Sequence, residues 1–258
     1  MEQEGKELRG GLLACLLDMG TLLLDCGAEV SRVEDTIRRL ARAYRIGRLD
    51  VFVIPSIISV SAAFADGEVL TETRRIRSSG STDFYRLEKL NALSRSCCAE
   101  PLPLPELRAR LDKIASGKKP VWMVYVGNAV AAWGFTVFFG GTMFDGLTAA
   151  LFSLLISLLQ RRLGRTELNQ AAINLLISLL TGLGVGALTL LLPALHMDMI
   201  LIGDIMLLIP GLAMTNAVRN MLVGDTISGV VRLAECLIWA GALAGGFMVS
   251  LFAVNLLR

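Results

Sequence analysis

Apolar residues are unevenly distributed along the chain, and their pattern divides it into two parts. In the first 120 residues short apolar stretches are interrupted by charged side chains, whereas the remainder contains long uncharged runs. One run, Val121 to Phe144, has 24 residues, and a helix of that length at about 1.5 Å per residue crosses the roughly 30 Å hydrocarbon core of a bilayer. The pattern predicts five membrane helices, at about 121–142, 145–160, 170–192, 199–217 and 229–257.

The second and fourth segments are short, so either could be re-entrant instead of spanning. The positions of Lys and Arg favour five spans, because cytoplasmic loops accumulate these residues. With five helices, seven basic residues fall on one side: Lys118, Lys119, Arg161, Arg162, Arg165, Arg219 and Arg232. The opposite loops contain Asp145, His196 and Asp198. We therefore predict a cytoplasmic N-terminus and an external C-terminus at Arg258.

Residues 1–118 have a different periodicity, which predicts a cytoplasmic α+β domain. Leu8 to Asp25 and Glu29 to Arg45 have helical spacing, and apolar positions in the second recur every three or four residues. Gly27 is expected to end the first helix, and Ser31 with Glu34 resembles a capping box for the second.

Three β segments are predicted next, at 50–54, 57–65 and 69–76, because Val, Ile, Phe and Thr are frequent there. Asp66-Gly67 is a strong hairpin signal between the last two. Helices from Asp83 to about Ala99 and from Leu104 to Ser116 complete the domain. The expected fold is an α-helical polytopic membrane protein with five transmembrane helices in residues 119–258 and this N-terminal domain.

Composition and charge narrow the classes of function. The chain is 54% hydrophobic and 19% charged, and 36 of its 48 Asp, Glu, Lys and Arg residues lie in the first 120 positions. A wholly soluble enzyme is excluded, and a net charge of +2 excludes a protein that coats nucleic acid. Nucleotide-binding glycine loops, nucleophile elbows and Cys/His zinc patterns are absent from the sequence, so we expect no cofactor, no metal and no enzymatic activity.

Polar residues within the membrane segments are the candidate functional residues, since a charge in hydrocarbon costs about 2.5–3.5 kcal/mol on insertion scales. Asp204 lies six residues before Pro210-Gly211, a pair that should break the helix and free backbone carbonyls. A carboxylate beside a broken helix is typical of transporter sites at the bilayer midplane. The alternative is that Asp204 sits near the outer headgroups and Pro210 only kinks the helix.

Other polar residues are weaker candidates. Glu235 near the cytoplasmic end of the fifth helix could snorkel or pair with Arg232. Asn128 and Asn174 could line a path or bond between helices, and Asp145 in an outer loop is a further secondary candidate.

Small residues predict where the helices pack. Gly182, Gly184 and Gly186 in the third membrane helix, and Gly241 and Gly245 in the fifth, allow close approach of helix backbones. Such glycines either build the architecture or supply flexibility for alternating access, and the sequence leaves both readings open.

Several segments resemble the threonine/serine exporter family. They are Gly27-Ala28-Glu29-Val30-Ser31-Arg32-Val33-Glu34, Asn91-Ala92-Leu93-Ser94-Arg95, Pro210-Gly211, Thr215-Asn216-Ala217-Val218-Arg219, and Gly224-Asp225 with Ser228-Gly229 and Arg232. The resemblance extends over nearly the whole chain. Where the family commonly has Asp after the motif arginine, this chain has Asn220, which leaves Asp225 as the carboxylate of the segment.

The resemblance implies export of threonine and serine, or of a small dicarboxylate such as succinate, coupled to the proton gradient across a bacterial inner membrane. Long family members have about twice as many membrane helices, so this chain resembles their N-terminal, YjjP-like half. A separate YjjB-like membrane subunit is the implied partner, and a homo-oligomer is a further option.

In such an exporter Thr215, Asn216 and Arg219 can donate to a solute carboxylate, and Asp204 can accept from an amine or carry the coupled proton. A rival class stays open, a membrane-anchored metabolite sensor or regulatory subunit that transports nothing itself. Five helices argue against the sensor, because one would anchor it.

Overall fold

The computed structural model describes residues 2–64, 66–76, 82–117 and 120–256, which form ten helices and three strands. In chain order they are α1 (Glu2–Asp25), α2 (Val30–Ala43), β1 (Arg48–Ile54), β2 (Ile57–Ala63), β3 (Val69–Arg75), α3 (Phe84–Ala99), α4 (Leu104–Ser116), α5 (Val121–Phe138), α6 (Met143–Leu163), α7 (Gln170–Leu191), α8 (Met197–Leu208), α9 (Gly211–Leu222) and α10 (Thr226–Asn255). The chain divides into two compact units, residues 1–118 with 212–233, and residues 119–211 with 234–258.

The first unit is built around α1, which packs against α2, α3, α4, β2 and β3. Its core contains Leu13, Leu16 and Leu17 of α1 together with the apolar stripe of α2. Five of the six predicted stripe residues are buried, Val30, Val33, Ile37, Leu40 and Ala41. The sixth, Tyr44, lies just after the helix and packs against the core partly buried. Apolar burial on this face therefore fixes α2 against α1.

The three predicted strands form an antiparallel sheet in the order β1-β2-β3. Along β2 the buried residues Ile58, Val60 and Ala62 alternate with Ser59 and Ser61 on the opposite face. The two serine hydroxyls pair across the strands with Thr73 at 2.9 Å and Thr71 at 2.8 Å. The predicted Asp66-Gly67 turn is present, with Gly67 at a φ of +86°.

The turn between α1 and α2 follows the prediction at Gly27 and departs from it at Ser31. Gly27 has a φ of +84°, its N–H donates to the Leu24 carbonyl, and the Ala28 N–H donates to Leu23, the pattern of a Schellman C-cap. The predicted capping box is wrong, since Glu29 occupies the N-cap position and Ser31 lies inside the helix. Glu34 instead accepts from the Val53 N–H at 3.3 Å and joins α2 to β1.

The second unit contains α5, α6, α7, α8 and most of α10. Its outer surface is apolar, with side chains such as Phe138 and Leu191 about four-fifths exposed, at 80% and 78%. A soluble protein would not expose so much contiguous apolar surface, so lipid is the appropriate solvent for this unit. Helices α5, α6, α7 and α10 are each long and apolar enough to cross a membrane.

The remaining membrane candidate is the pair α8 and α9, which is bent by 51° at Ile209 and Pro210. The prediction that Pro210-Gly211 interrupts this segment is therefore confirmed. By length and composition the described residues contain four spanning helices, or five if the bent pair counts as one span. Lys118, Lys119 and Arg258, which the topology prediction used, lie outside the described residues.

Glycines allow close helix packing in the second unit, at some of the predicted positions. A Cβ added to Gly182 would lie 2.0 Å from the Ser250 hydroxyl, and one added to Gly186 would lie 2.2 Å from Val254. In α10 the predicted Gly241 has nothing within 4 Å, and Gly246 is the residue that meets Ser178, at 2.0 Å. The Gly241 prediction is wrong because the rotation of α10 turns that residue away from its neighbours.

Candidate functional site

Asp204 is the most unusual residue of the second unit. Its position in α8 is fully buried, and α8 packs against α5, α6 and α7. The neighbouring Gly203 lets α8 approach α5 so closely that an added Cβ would lie 2.0 Å from Thr136 Oγ1. Neither carboxylate oxygen of Asp204 has a hydrogen-bond donor within the described parts of the chain.

This lack of donors is exceptional among the polar groups buried around it. The hydroxyls of Thr136, Ser153, Ser157, Thr189 and Ser250 each donate to a carbonyl three or four residues earlier in their own helix. Thr181 Oγ1 in α7 is the other buried polar atom in this unit without a partner among the described residues. Burying a polar group without a hydrogen bond costs about 1–3 kcal/mol in proteins, and an unpaired charge costs more.

The helix that contains Asp204, α8, ends one turn further on, at Leu208. The Ile209 N–H makes the last α-helical bond of α8, to Ile205 at 3.0 Å, and Pro210 has no N–H to continue the series. Helix α9 then restarts at Gly211. Pro210 removes the N–H that would reach the Met206 carbonyl in a continuous helix, and the Gly211 N–H donates to the Ile209 carbonyl at 2.9 Å. Such a break is a feature of discontinuous transporter helices.

Asp145, a secondary candidate, has a structural role. One of its oxygens accepts from the Thr142 N–H and hydroxyl, both at 2.8 Å, in a capping box at the start of α6. The His196 N–H donates to the other oxygen, Oδ1, at 2.8 Å, and His196 Nδ1 lies 3.0 Å from Oδ2, the oxygen that Thr142 contacts. Asp145 thus joins the N-terminus of α6 to the segment before α8.

Asn128 and Asn174 also have local partners. The Asn128 amide donates to the Ser157 hydroxyl at 2.9 Å and links α5 to α6. Asn174 is buried in α7 and accepts from Gln170 at 2.9 Å. The Asn128 contact corresponds to the structural alternative that the sequence left open, a hydrogen bond between helices. The Asn174 contact lies within α7 and joins no second helix.

A second group of candidates lies in the first unit, where α9 meets the turn between α1 and α2. Arg219 Nη1 donates to Glu29 Oε1 at 2.7 Å, with the side chains 63% and 16% exposed. This ion pair joins two of the segments that carry the family resemblance. Sequence reasoning quoted Glu29 within its motif and did not select it as a site residue.

Two cavities flank this ion pair. One of about 40 Å³ is lined by residues that include Glu29, Asn216, Asn220 and Arg232. The other, of about 130 Å³, shares Gly27, Ala28, Glu29, Thr82 and Asn216 with it. Asn220 is buried, and its Oδ1 has no donor among the described residues. The smaller cavity has room for a few water-sized groups beside this acceptor.

Three further candidates, Asp225, Thr215 and Glu235, lie in or between helices α9 and α10. Gly224 has a φ of +98°, and the Asp225 N–H donates to the Asn220 carbonyl at 2.9 Å, so the Gly-Asp pair forms a Schellman cap. The Asp225 carbonyl then accepts from Gly229 and begins α10. Thr215 is exposed on α9, and Glu235 is half-buried in α10.

No metal site is evident in the described residues, 2–64, 66–76, 82–117 and 120–256. They contain no group of three or more His, Cys, Asp or Glu side chains that could hold a metal ion.

Long apolar helices with an apolar exterior, and a broken helix beside a buried carboxylate, define an integral membrane protein of the transporter class. The profile described as "Putative threonine/serine exporter" matches residues 14–254, and the chain belongs to this family, ThrE. Two relatives are each named "Probable succinate transporter subunit YjjP". The protein of Klebsiella aerogenes is 24% identical over 236 residues, covering 91% of this chain and 90% of the relative. The Escherichia coli K12 protein is 23% identical over 237 residues, 91% of each chain. No solved structure matches the chain significantly.

Proposed function

We propose that this chain is one subunit of a proton-coupled exporter in a bacterial inner membrane, and that it works with a YjjB-like second membrane subunit. The solute is a small amino acid such as threonine or serine, or a small dicarboxylate such as succinate. The observation that carries the proposal is Asp204, a fully buried carboxylate without donors in the described chain, one turn before a broken helix.

Proton coupling requires a group that binds a proton in one conformation and releases it in another. Asp204 fits this requirement, because no hydrogen bond from the described residues holds its carboxylate in the ionised form. A change in helix packing that admits water from either side would let this group exchange its proton. Gly203, the residue before Asp204, packs closely against Thr136, so the contact between α8 and α5 lies directly beside this carboxylate.

Solute recognition requires donors for a carboxylate, which threonine, serine and succinate all carry. Thr215, Asn216 and Arg219 on α9 supply a hydroxyl, an amide and a guanidinium. Residues on both sides of the break contribute to transport in this proposal, with Asp204 on α8 and the donors on α9. Asp225 and Glu235 are further candidate acidic groups for the solute or the proton.

The proposed topology has five spans, with α8 and α9 together forming the fourth. It places residues 1–118 and the N-terminus in the cytoplasm and the C-terminus outside. The basic residues at and just after the end of α6, in α9 and in α10 support this orientation, since cytoplasmic loops are enriched in Lys and Arg. The names of the two relatives include the word subunit, which supports a multi-subunit exporter.

The test is reconstitution of this chain into proteoliposomes with the YjjB-like protein encoded in the same genome. Efflux of labelled threonine, serine and succinate is measured with and without an imposed proton gradient. We expect gradient-dependent efflux of at least one solute, and only when both subunits are present. No efflux of any solute from liposomes that contain both folded subunits would contradict the proposal.

A sensor or regulatory subunit is the second candidate, favoured by the cavities around Glu29 and Asn216 in the first unit. A sensor would bind one of these solutes when reconstituted alone, and the pair would transport nothing. Equilibrium binding and efflux measured on the same preparations separate the two functions.

A further inference from the structure

A groove between α3 and α4 combines positive charge with an apolar surface. Its volume is about 400 Å³, within the roughly 300–1,000 Å³ typical of small-molecule sites. Four basic side chains line it, Arg86 and Lys89 from α3 and Arg110 and Lys113 from α4. Among the described lining residues there is no Asp or Glu. The groove therefore favours an anion.

Three of the four cations already contact a neighbouring residue before any ligand arrives. Arg86 donates through Nε and Nη2 to the Gly117 carbonyl, at 3.1 and 2.9 Å, which ties α3 to the end of α4. Lys89 Nζ lies 4.1 Å from the centre of the Tyr85 ring and donates to its hydroxyl at 2.6 Å. Arg110 is paired with Glu106 at 2.6 Å, and Lys113 is exposed. Fixed side chains lose less entropy on binding than free ones.

The rest of the lining is mostly apolar. Ala92 and Leu93 of α3 face the groove together with Ile114 of α4 and the Tyr85 ring. A free inorganic anion bound to the cations would leave the apolar lining of the groove exposed to water. A ligand with a charged head and an apolar body would cover it and gain about 25 cal/mol for each Å² removed from water.

The chain itself keeps the groove close to a membrane. Gly117, which lines the groove, precedes Val121, the first residue of spanning helix α5, by four positions. Four residues extend to at most about 14 Å. The two intervening lysines, Lys118 and Lys119, add further positive charge to the sequence at this point. The end of the groove at Gly117 is therefore never far from the lipids around the start of α5.

We propose that this groove binds an anionic phospholipid of the adjoining leaflet. Lys89, Lys113 and Arg110 contact the phosphate, and the surface of Ala92, Leu93 and Ile114 contacts the glycerol and the first acyl carbons. Clusters of Lys and Arg next to a membrane helix attract anionic lipid headgroups. Binding of this lipid would hold α3 and α4 at the membrane surface.

The test uses the full chain in nanodiscs that contain a trace of photoactivatable phosphatidylglycerol or, separately, of photoactivatable phosphatidylcholine. Crosslinks are mapped to peptides by mass spectrometry. We expect phosphatidylglycerol to label peptides from residues 84–117 at least tenfold more than phosphatidylcholine. The double variant Lys89→Gln/Lys113→Gln should reduce this labelling about 25-fold, at roughly fivefold for each cation near a membrane surface.

Two further variants separate a groove site from general surface attraction. Arg95→Gln/Arg108→Gln removes the same charge from exposed positions of the same helices outside the groove and should retain labelling. Ala92→Trp fills the groove without changing its charge and should abolish labelling. Equal labelling by both lipids, equal loss in the two charge variants, or full labelling of Ala92→Trp would overturn the proposal. Complete competition by millimolar glycerol phosphate would also overturn it, because the ligand would then be a soluble anion.

Discussion

Glu29 and Arg219 are 190 positions apart in the sequence, yet their side chains form an ion pair with an N–O distance of 2.7 Å. Glu29 follows the C-cap of α1, and Arg219 lies in the last turn of α9, the helix that follows the break. The pair therefore connects the N-terminal sequence to the helix that restarts at Gly211. A contact at this position can transmit the state of one segment to the other.

We expect Glu29→Gln and Arg219→Gln to impair export far more than stability. Exposed ion pairs contribute about 0–1 kcal/mol, and the Arg219 side chain is 63% exposed, so the thermal unfolding midpoint should change little. Efflux in proteoliposomes should fall at least tenfold for each variant. Exchange of the two charges, Glu29→Arg with Arg219→Glu, should restore part of the rate.

The matched control is Asp35→Asn, which breaks another exposed ion pair on α2, between Asp35 and Arg39 at 2.8 Å. This variant should export at the wild-type rate. If Glu29→Gln and Asp35→Asn give the same rate, the contact between Glu29 and Arg219 has no part in transport.

Close helix packing predicts which glycines of the membrane unit tolerate alanine. Gly203→Ala and Gly246→Ala would place a Cβ within 2.0 Å of Thr136 and Ser178, and overpacking of this kind costs about 1–3 kcal/mol. Gly134→Ala in α5 and Gly241→Ala in α10 meet nothing within 4 Å. Thermal unfolding in detergent should show a lower midpoint for the first pair only. Equal midpoints for all four variants would mean that the helices are not packed as described.

Two positions with positive φ should respond to substitution in opposite directions. Gly27→Ala places a Cβ on a residue at +84°, where an L-residue costs about 1–2 kcal/mol, and should destabilise the chain. Arg45, at the end of α2, has a φ of +58°, and Arg45→Gly relieves the same strain. We expect Arg45→Gly to raise the unfolding midpoint slightly, with part of the gain offset by the greater backbone freedom of glycine. A decrease for Arg45→Gly would contradict this account of the α2 terminus.

Tyr44 provides a test that depends on pH. Burial raises its pKa from 10.0 to about 12, and the neighbouring Cys97 adds to the shift, while its hydroxyl donates to the Leu102 carbonyl at 2.9 Å. The folded state therefore binds the phenol proton more tightly than the unfolded state. The resulting stability is fully present below pH 10 and is lost between about pH 10 and 12. In a pH titration, the phenolate absorbance of the wild type minus that of Tyr44→Phe should have its midpoint near pH 12. A midpoint near pH 10 would show that the Tyr44 hydroxyl is exposed to water.

The sequence predicted features that depend on neighbours within a few residues. The apolar stripe of α2, the cap at Gly27, the turn at Gly67 and the break at Pro210 all follow from local spacing and backbone preference. The capping box at Ser31 failed because the turn after Gly27 already places Glu29 at the N-cap, one residue before the helix begins.

Features that depend on tertiary packing could not be predicted in this way. Which glycine of α10 meets α7 depends on the rotation of the helix, so Gly246 was missed and Gly241 was selected. The partner of Arg219 lies 190 positions away, and no local pattern indicates it. The position of the Asp204 carboxylate in an apolar run could be predicted from the sequence, but its complete burial and its lack of donors in the described chain depend on the fold.

The central claim is that Asp204 carries the coupled proton. Proton-driven efflux by the Asp204→Asn variant tests this claim most directly. The variant is reconstituted with the YjjB-like subunit beside Asp198→Asn, a control in which an exposed carboxylate in the first turn of the same helix is neutralised. Circular dichroism and the unfolding midpoint establish that both variants are folded. We predict no gradient-dependent efflux from Asp204→Asn and a wild-type rate from Asp198→Asn. A wild-type rate from Asp204→Asn would contradict the account.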